Sequence, residues 1–205
     1  MSFQFCGVRI EVKFLFIAVL AMLLTVDRSG VVLYAFISSA AHELAHLLAM
    51  LLFKGNVLSI SFEIFGIRIV KTDSLLLHEE IITLLAGPSV NILLFFLCSG
   101  SALPSVSLIA AVNLAIGVFN LLPVGSLDGG MVVSLLCNHF WGSKTGNKVV
   151  FAISLIILVP LVVLGIILLV QTRTNFSLLA VSLFLLAGLL FNIKPKNSYA
   201  PLKST

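Results

Sequence analysis

Six apolar stretches, set apart by short polar turns, leave this chain little to fold into except a bundle within a bilayer. A helix needs roughly 17–25 mostly apolar residues to cross the hydrocarbon. Stretches at about 12–27, 31–53, 77–98, 102–122, 149–170 and 176–192 reach or approach that length. Composition agrees. Of the 205 residues, 60% are hydrophobic and 10% charged, where a soluble domain carries about a quarter charged. The expected class is therefore an all-α polytopic membrane protein of about six transmembrane helices, one membrane domain over 1–192. Residues 193–205, with Pro195 and Pro201, are expected to form a polar, disordered tail. Arg9 and Lys13 precede the short apolar run Phe14–Val26 in the manner of a signal peptide. No small-residue cleavage site follows, so the first span is expected to be retained.

The net charge of +4 does not point to nucleic acid, because the basic residues sit in the short turns. With the N-terminus inside, Arg9, Lys13, Lys54, Arg68, Lys71, Lys144, Lys148, Lys194, Lys196 and Lys203 face the cytoplasm, and only Arg28 and Arg173 face out. That asymmetry is the positive-inside pattern and predicts cytoplasmic N- and C-termini. The cysteines Cys6, Cys98 and Cys137 lack paired spacing and read as small packing residues.

Between the second and third stretches, apolar and polar residues alternate on either side of Gly66. Period two with a central glycine predicts a small membrane-associated β-hairpin at about 57–72, with an amphipathic loop as the other reading. An open hairpin edge could accept an extended peptide as an added strand.

The chemistry concentrates in His42-Glu43-Leu44-Ala45-His46, inside the second stretch. Residues four apart share a helix face, so both imidazoles can reach one metal ion, with Glu43 beside them as a general base toward water. Ionisable groups at membrane depth are costly and usually functional. A catalytic zinc site needs a third protein ligand and one open position. Glu11, Asp27, Glu63 and Asp73 fall in termini or turns, and Glu79 and Glu80 suit the N-terminus of the third span. Asp128 remains as the leading third ligand. It follows the fourth span in Asn120-Leu121-Leu122-Pro123-Val124-Gly125-Ser126-Leu127-Asp128-Gly129-Gly130, where glycines permit close backbone approach. Its other reading is the N-cap of the helix that follows. His78 and His139 read as interfacial residues, the latter in an aromatic loop with Phe140 and Trp141. Gly87-Pro88, in the middle of the third span, interrupts the helical ladder and brings the buried amide of Asn91. Taken alone, this cluster reads as a kink for helix packing.

Together the three clusters resemble the site-2 protease family of intramembrane zinc metalloproteases. H-E-x-x-H, then A-G-P-x-x-N, then N-x-x-P-x-x-x-L-D-G match in type and order over about residues 10–140. The resemblance implies that His42, His46 and Asp128 bind one Zn2+, that Glu43 is the catalytic acid/base, and that Asn91 and Asn120 line the site. It implies a membrane-associated protein substrate, a membrane-protein inhibitor or regulator, and no nucleic-acid partner. Where the family has a second proline in the last motif, this chain has Gly125. The order of spans resembles the stage IV sporulation protease branch without its CBS domain. That implies a bacterial cytoplasmic or forespore membrane and a membrane-associated pro-sigma factor as substrate. A metal transporter, or an inactive homologue that only binds substrate, are the competing classes. A transporter would show a path of several intramembrane acidic or histidine sites, whereas this chain concentrates them in one. An intact Glu43 speaks against the inactive homologue.

Overall fold

The fold was obtained as a computed structural model, which describes residues 2–5, 8–55, 57–63, 66–71 and 75–190. The expected tail at 193–205 lies outside the described residues. Six helices are present among them: α1 Phe14–Val26, α2 Val31–Leu52, α3 Leu77–Cys98, α4 Pro104–Asn120, α5 Asp128–Thr172 and α6 Ser177–Leu190. Each expected span falls on one of them. By length and composition, α2, α3 and α5 can cross a membrane, and the protein is an integral membrane protein. The others are apolar but short, at 13 residues in α1, 17 in α4 and 14 in α6. At about 1.5 Å per residue, α1 covers roughly 20 Å of a hydrocarbon layer near 30 Å thick.

The all-α expectation is corrected by a sheet. Strands β1 Ser2–Phe5, β2 Val8–Val12, β3 Val57–Glu63 and β4 Gly66–Lys71 form one four-stranded sheet in the order β1-β2-β3-β4. β1 and β2 pair antiparallel, β2 and β3 pair parallel with Ile10 opposite Ile60, and β3 and β4 pair antiparallel with Ile60 opposite Ile69. The expected small hairpin is corrected to half of a larger sheet, since β3 pairs with β2 as well as with β4. The physical reason is that a lone two-stranded hairpin is marginal in water, and extra strands satisfy its edge. The extra strands come from the start of the chain, where Phe3, Phe5, Val8, Ile10 and Val12 alternate with Gln4, Arg9 and Glu11.

The described chain divides into two compact units, the first ending at Val118 and the second beginning at Phe119. In the first unit the buried positions are small or polar: Ser38, Ala45 and Ala49 on α2, Thr83, Gly87 and Asn91 on α3, and Ala110, Asn113 and Gly117 on α4. Large apolar residues such as Leu44, Leu48, Leu52, Leu93 and Phe96 lie exposed. This inverts the soluble pattern. In lipid, apolar side chains gain nothing by burial, and small residues let helices approach closely. α2 starts without a side-chain N-cap, since Gly30 occupies that position. The Asp27 carboxylate takes over, accepting from the Val32 amide at 2.8 Å and from the Ser29 amide at 2.8 Å.

In the second unit, Val124, Leu127, Leu158 and Leu185 form an apolar cluster between the loop before α5, α5 itself and α6. Gly165 lies against the Leu179 backbone, where an added Cβ would come within 2.8 Å of the Leu179 Cα. α5 is interrupted at Gly142, whose φ of 77° is in the left-handed region that glycine alone adopts freely. His139, Phe140 and Trp141 precede that interruption. They are helical and exposed, which corrects the expected aromatic loop.

Candidate metal centre

α2 carries His42 and His46 four residues apart, and both are buried, with 5% and 8% of their surfaces exposed. Their Nε2 atoms stand 3.0 Å apart and their ring planes meet at 83°. The other ring nitrogen of each is engaged. His46 Nδ1 lies 2.7 Å from the carbonyl oxygen of Thr83 on α3. A carbonyl can only accept, so His46 Nδ1 carries the proton. His42 Nδ1 lies 2.6 Å from Asn91 Oδ1. Asn91 Nδ2 donates to Asn113 Oδ1 at 2.8 Å and to the Ser38 carbonyl at 3.3 Å. Those two acceptors fix the amide so that its oxygen faces His42, and His42 Nδ1 also carries its proton.

Both imidazoles therefore turn Nε2 toward the same point, with Nδ1 held on the other side of each ring. Zinc takes neutral imidazole nitrogens at about 2.0–2.1 Å, and second ring N–H groups held by carbonyl or amide oxygens are the usual support for such ligands. The donor set fits that ion. Gly87 leaves the room. An added Cβ there would run into His46 Nε2 and come within 2.6 Å of His46 Cε1 and 2.7 Å of His42 Nε2. α3 runs through Gly87-Pro88 to Cys98 as one helix. Glu43, the expected acid/base, is half-buried beside the pair on α2.

Asp128 belongs to the second unit. It is the first residue of α5, one past the N-cap, which is Leu127. Its carboxylate is half-buried at the positive end of the helix dipole, where an anion is favoured. Gly129 and Gly130 let that first turn settle onto the preceding loop, since an added Cβ would meet the Leu121 and Val124 carbonyl oxygens respectively. The loop is tied down from the side. The Gly125 amide donates to Ser154 Oγ at 3.0 Å, and Ser154 Oγ donates to the Val150 carbonyl at 2.7 Å. Among the described residues, His42, His46 and Asp128 make up a group that could hold a metal ion. Asn120 closes α4, while His78 and His139 are exposed. Sequence reasoning missed Ser38, Thr83 and Asn113. Of these, Asn113 alone left a signal, as an amide in the middle of an apolar helix.

Comparisons with known proteins point the same way. A sequence model described as Peptidase family M50 matches residues 98–164. The Synechocystis sp. protein named "Putative zinc metalloprotease sll0528" is 31% identical over 122 residues, 55% of this chain and 32% of that protein. The chain thus spans about a third of the length of that relative. In fold, the chain is similar to the Site-2 Protease from Methanocaldococcus jannaschii. The TM-score is 0.63 at 23% identity, and 93% of this chain and 94% of that chain are covered. The family model thus matches one part of this chain, the relative is named a zinc metalloprotease, and the fold is that of the site-2 protease structure.

Proposed function

We propose that this protein is an intramembrane zinc metalloendopeptidase, hydrolysing a peptide bond in or beside a membrane segment of a protein substrate. The observation that carries the reading is the buried pair of imidazoles with both Nδ1 protons engaged and both Nε2 lone pairs turned to one point, 3.0 Å apart. His42 and His46 would hold zinc as neutral ligands, and Asp128 would add an anionic third. Zinc bound there supplies Lewis acidity toward the scissile carbonyl and toward water. Glu43 accepts the proton as the water oxygen bonds to the carbonyl carbon, and returns it to the leaving amine as the C–N bond breaks. Asn91 and Thr83 keep the imidazoles oriented throughout.

The finer parts of the reading rest on sequence pattern. The charge asymmetry supports cytoplasmic termini, so cuts should fall toward the cytoplasmic side of the substrate. The order of spans supports a pro-sigma factor at a bacterial cytoplasmic or forespore membrane as substrate, with a membrane-protein inhibitor as regulator. The test uses purified protein and Glu43→Gln in detergent with a tagged membrane substrate. Zinc in both and cleavage only in the parent is the expected result. Equal cleavage by the two removes Glu43 from the mechanism. Zinc without cleavage of any membrane substrate favours a binding or transport protein.

A further inference from the structure

Three buried side chains from three helices of the first unit form a one-way chain of hydrogen bonds that starts from the His42 Nδ1 donor. Asn91 is 0%, Asn113 1% and Ser38 3% exposed. Asn113 Nδ2 donates to Ser38 Oγ at 2.9 Å and to the Ile109 carbonyl of its own helix at 2.9 Å. Both of its N–H groups are used, so Oδ1 is left to accept from Asn91 Nδ2 at 2.8 Å. Asn91 in turn uses its second N–H on the Ser38 carbonyl, and Oδ1 is left to accept from His42 Nδ1. Neither amide can turn over without setting oxygen against oxygen at a buried carbonyl, and each such orphaned contact costs about 1–3 kcal/mol.

We propose that Asn113 is a positioning residue for metal binding. By fixing the Asn91 amide it holds His42 in the Nδ1–H tautomer, with Nε2 bare for the metal. The proposal rests on the metal reading above. Without the Asn113 acceptor, the Asn91 amide has one weak restraint left, the 3.3 Å bond to the Ser38 carbonyl. A turned-over Asn91 presents N–H to His42 Nδ1. His42 then moves its proton to Nε2 and loses its ligand lone pair. Neither Asn113 nor Ser38 needs to touch the metal or the substrate for this.

The test compares the parent with Asn113→Leu, which keeps the approximate volume and removes the acceptor. Zinc affinity is read by competition with a chromophoric chelator in detergent. The His42 tautomer is read from imidazole 15N shifts of the metal-free protein, and folding from far-UV circular dichroism. Loss of an outer support of a metal ligand typically lowers affinity by about 10–100-fold. The expected result is a fall in that range, with His42 passing from one tautomer to a mixture while the helix content stays as in the parent. Ser38→Ala, which removes only the hydroxyl that orients Asn113, should move both readouts the same way by less. It carries the same test if Asn113→Leu does not fold. Parent-like affinity with an unchanged His42 tautomer overturns the proposal and leaves the metal reading standing. A parent that binds no zinc overturns the metal reading and this proposal with it.

Discussion

His42 and His46 turn their Nε2 atoms toward each other at 3.0 Å, while an oxygen of α3 holds each Nδ1. A cation between the two nitrogens would be held by both rings, and on the proposed reading that ties the stability of the first unit to metal. Stripping the ion with a chelator should lower the thermal midpoint of the purified protein, and zinc should restore it. At a free ligand concentration about 1,000 times Kd, binding to the native state alone adds roughly 4 kcal/mol. Differential scanning fluorimetry with and without chelator measures it. A midpoint indifferent to chelator in protein shown to hold zinc would contradict the coupling.

Gly87 supplies the space the imidazoles occupy. Gly87→Ala is expected to abolish stoichiometric zinc binding and cleavage, because the new methyl meets both rings. Forcing a methyl into a packed site costs about 1–3 kcal/mol. Metal analysis of the purified variant beside its melting curve distinguishes a displaced site from a global collapse.

Ser154 and Gly125 should be energetically coupled. Ser154→Ala leaves the Gly125 amide without its 3.0 Å acceptor, at a cost of about 1–3 kcal/mol. Gly125→Pro alone drives the ring into Ser154 Oγ. In the double variant the ring fills the space that the hydroxyl vacated, and no orphaned amide remains. A double-mutant cycle in denaturant should show a favourable coupling of about 1–3 kcal/mol. Additive single effects would mean that the hydroxyl does not hold the Asp128 loop.

Asp27 holds the start of α2, and its carboxyl is pulled below the ordinary value of 3.8, first by the Ser29 hydroxyl and then by the Val32 and Ser29 amides. A lowered folded-state pKa contributes stability that is present above the unfolded value and lost as pH falls through the folded one. Asp27→Asn should therefore speed amide exchange at Val32 relative to the parent at neutral pH. The difference should vanish once the pH is well below 3.8.

The two histidines were legible in the sequence because i and i+4 on a helix is a local relation, and Asp128 was reachable because the chain has few carboxylates. What supports the histidines was not legible. Thr83 acts through its backbone carbonyl, which any residue type would provide. Asn113 and Ser38 matter only because α2, α3 and α4 meet there, and no spacing along the chain encodes which helix faces which. Gly87-Pro88 was legible as a packing kink, but the space that Gly87 leaves for the imidazoles was not. A proline inside a span bends the helix without ending it, and a glycine beside it can make space. The strands at the start of the chain had a readable alternation, from Phe3 to Val12, but their partner lies some fifty residues on. The helical run through His139 and Trp141 was hidden by polar residues whose side chains lie on the exposed surface.

The parallel pairing of β2 with β3 has a consequence for how the chain enters the bilayer. β2 ends where α1 begins and β3 follows α2, yet Arg9 to Val12 lie beside Ser59 to Phe62 in one sheet. A sheet with open edges has no place in hydrocarbon, so both strands sit on one side of the membrane. The chain between them must leave and come back, which makes α1 and α2 an inseparable out-and-return pair.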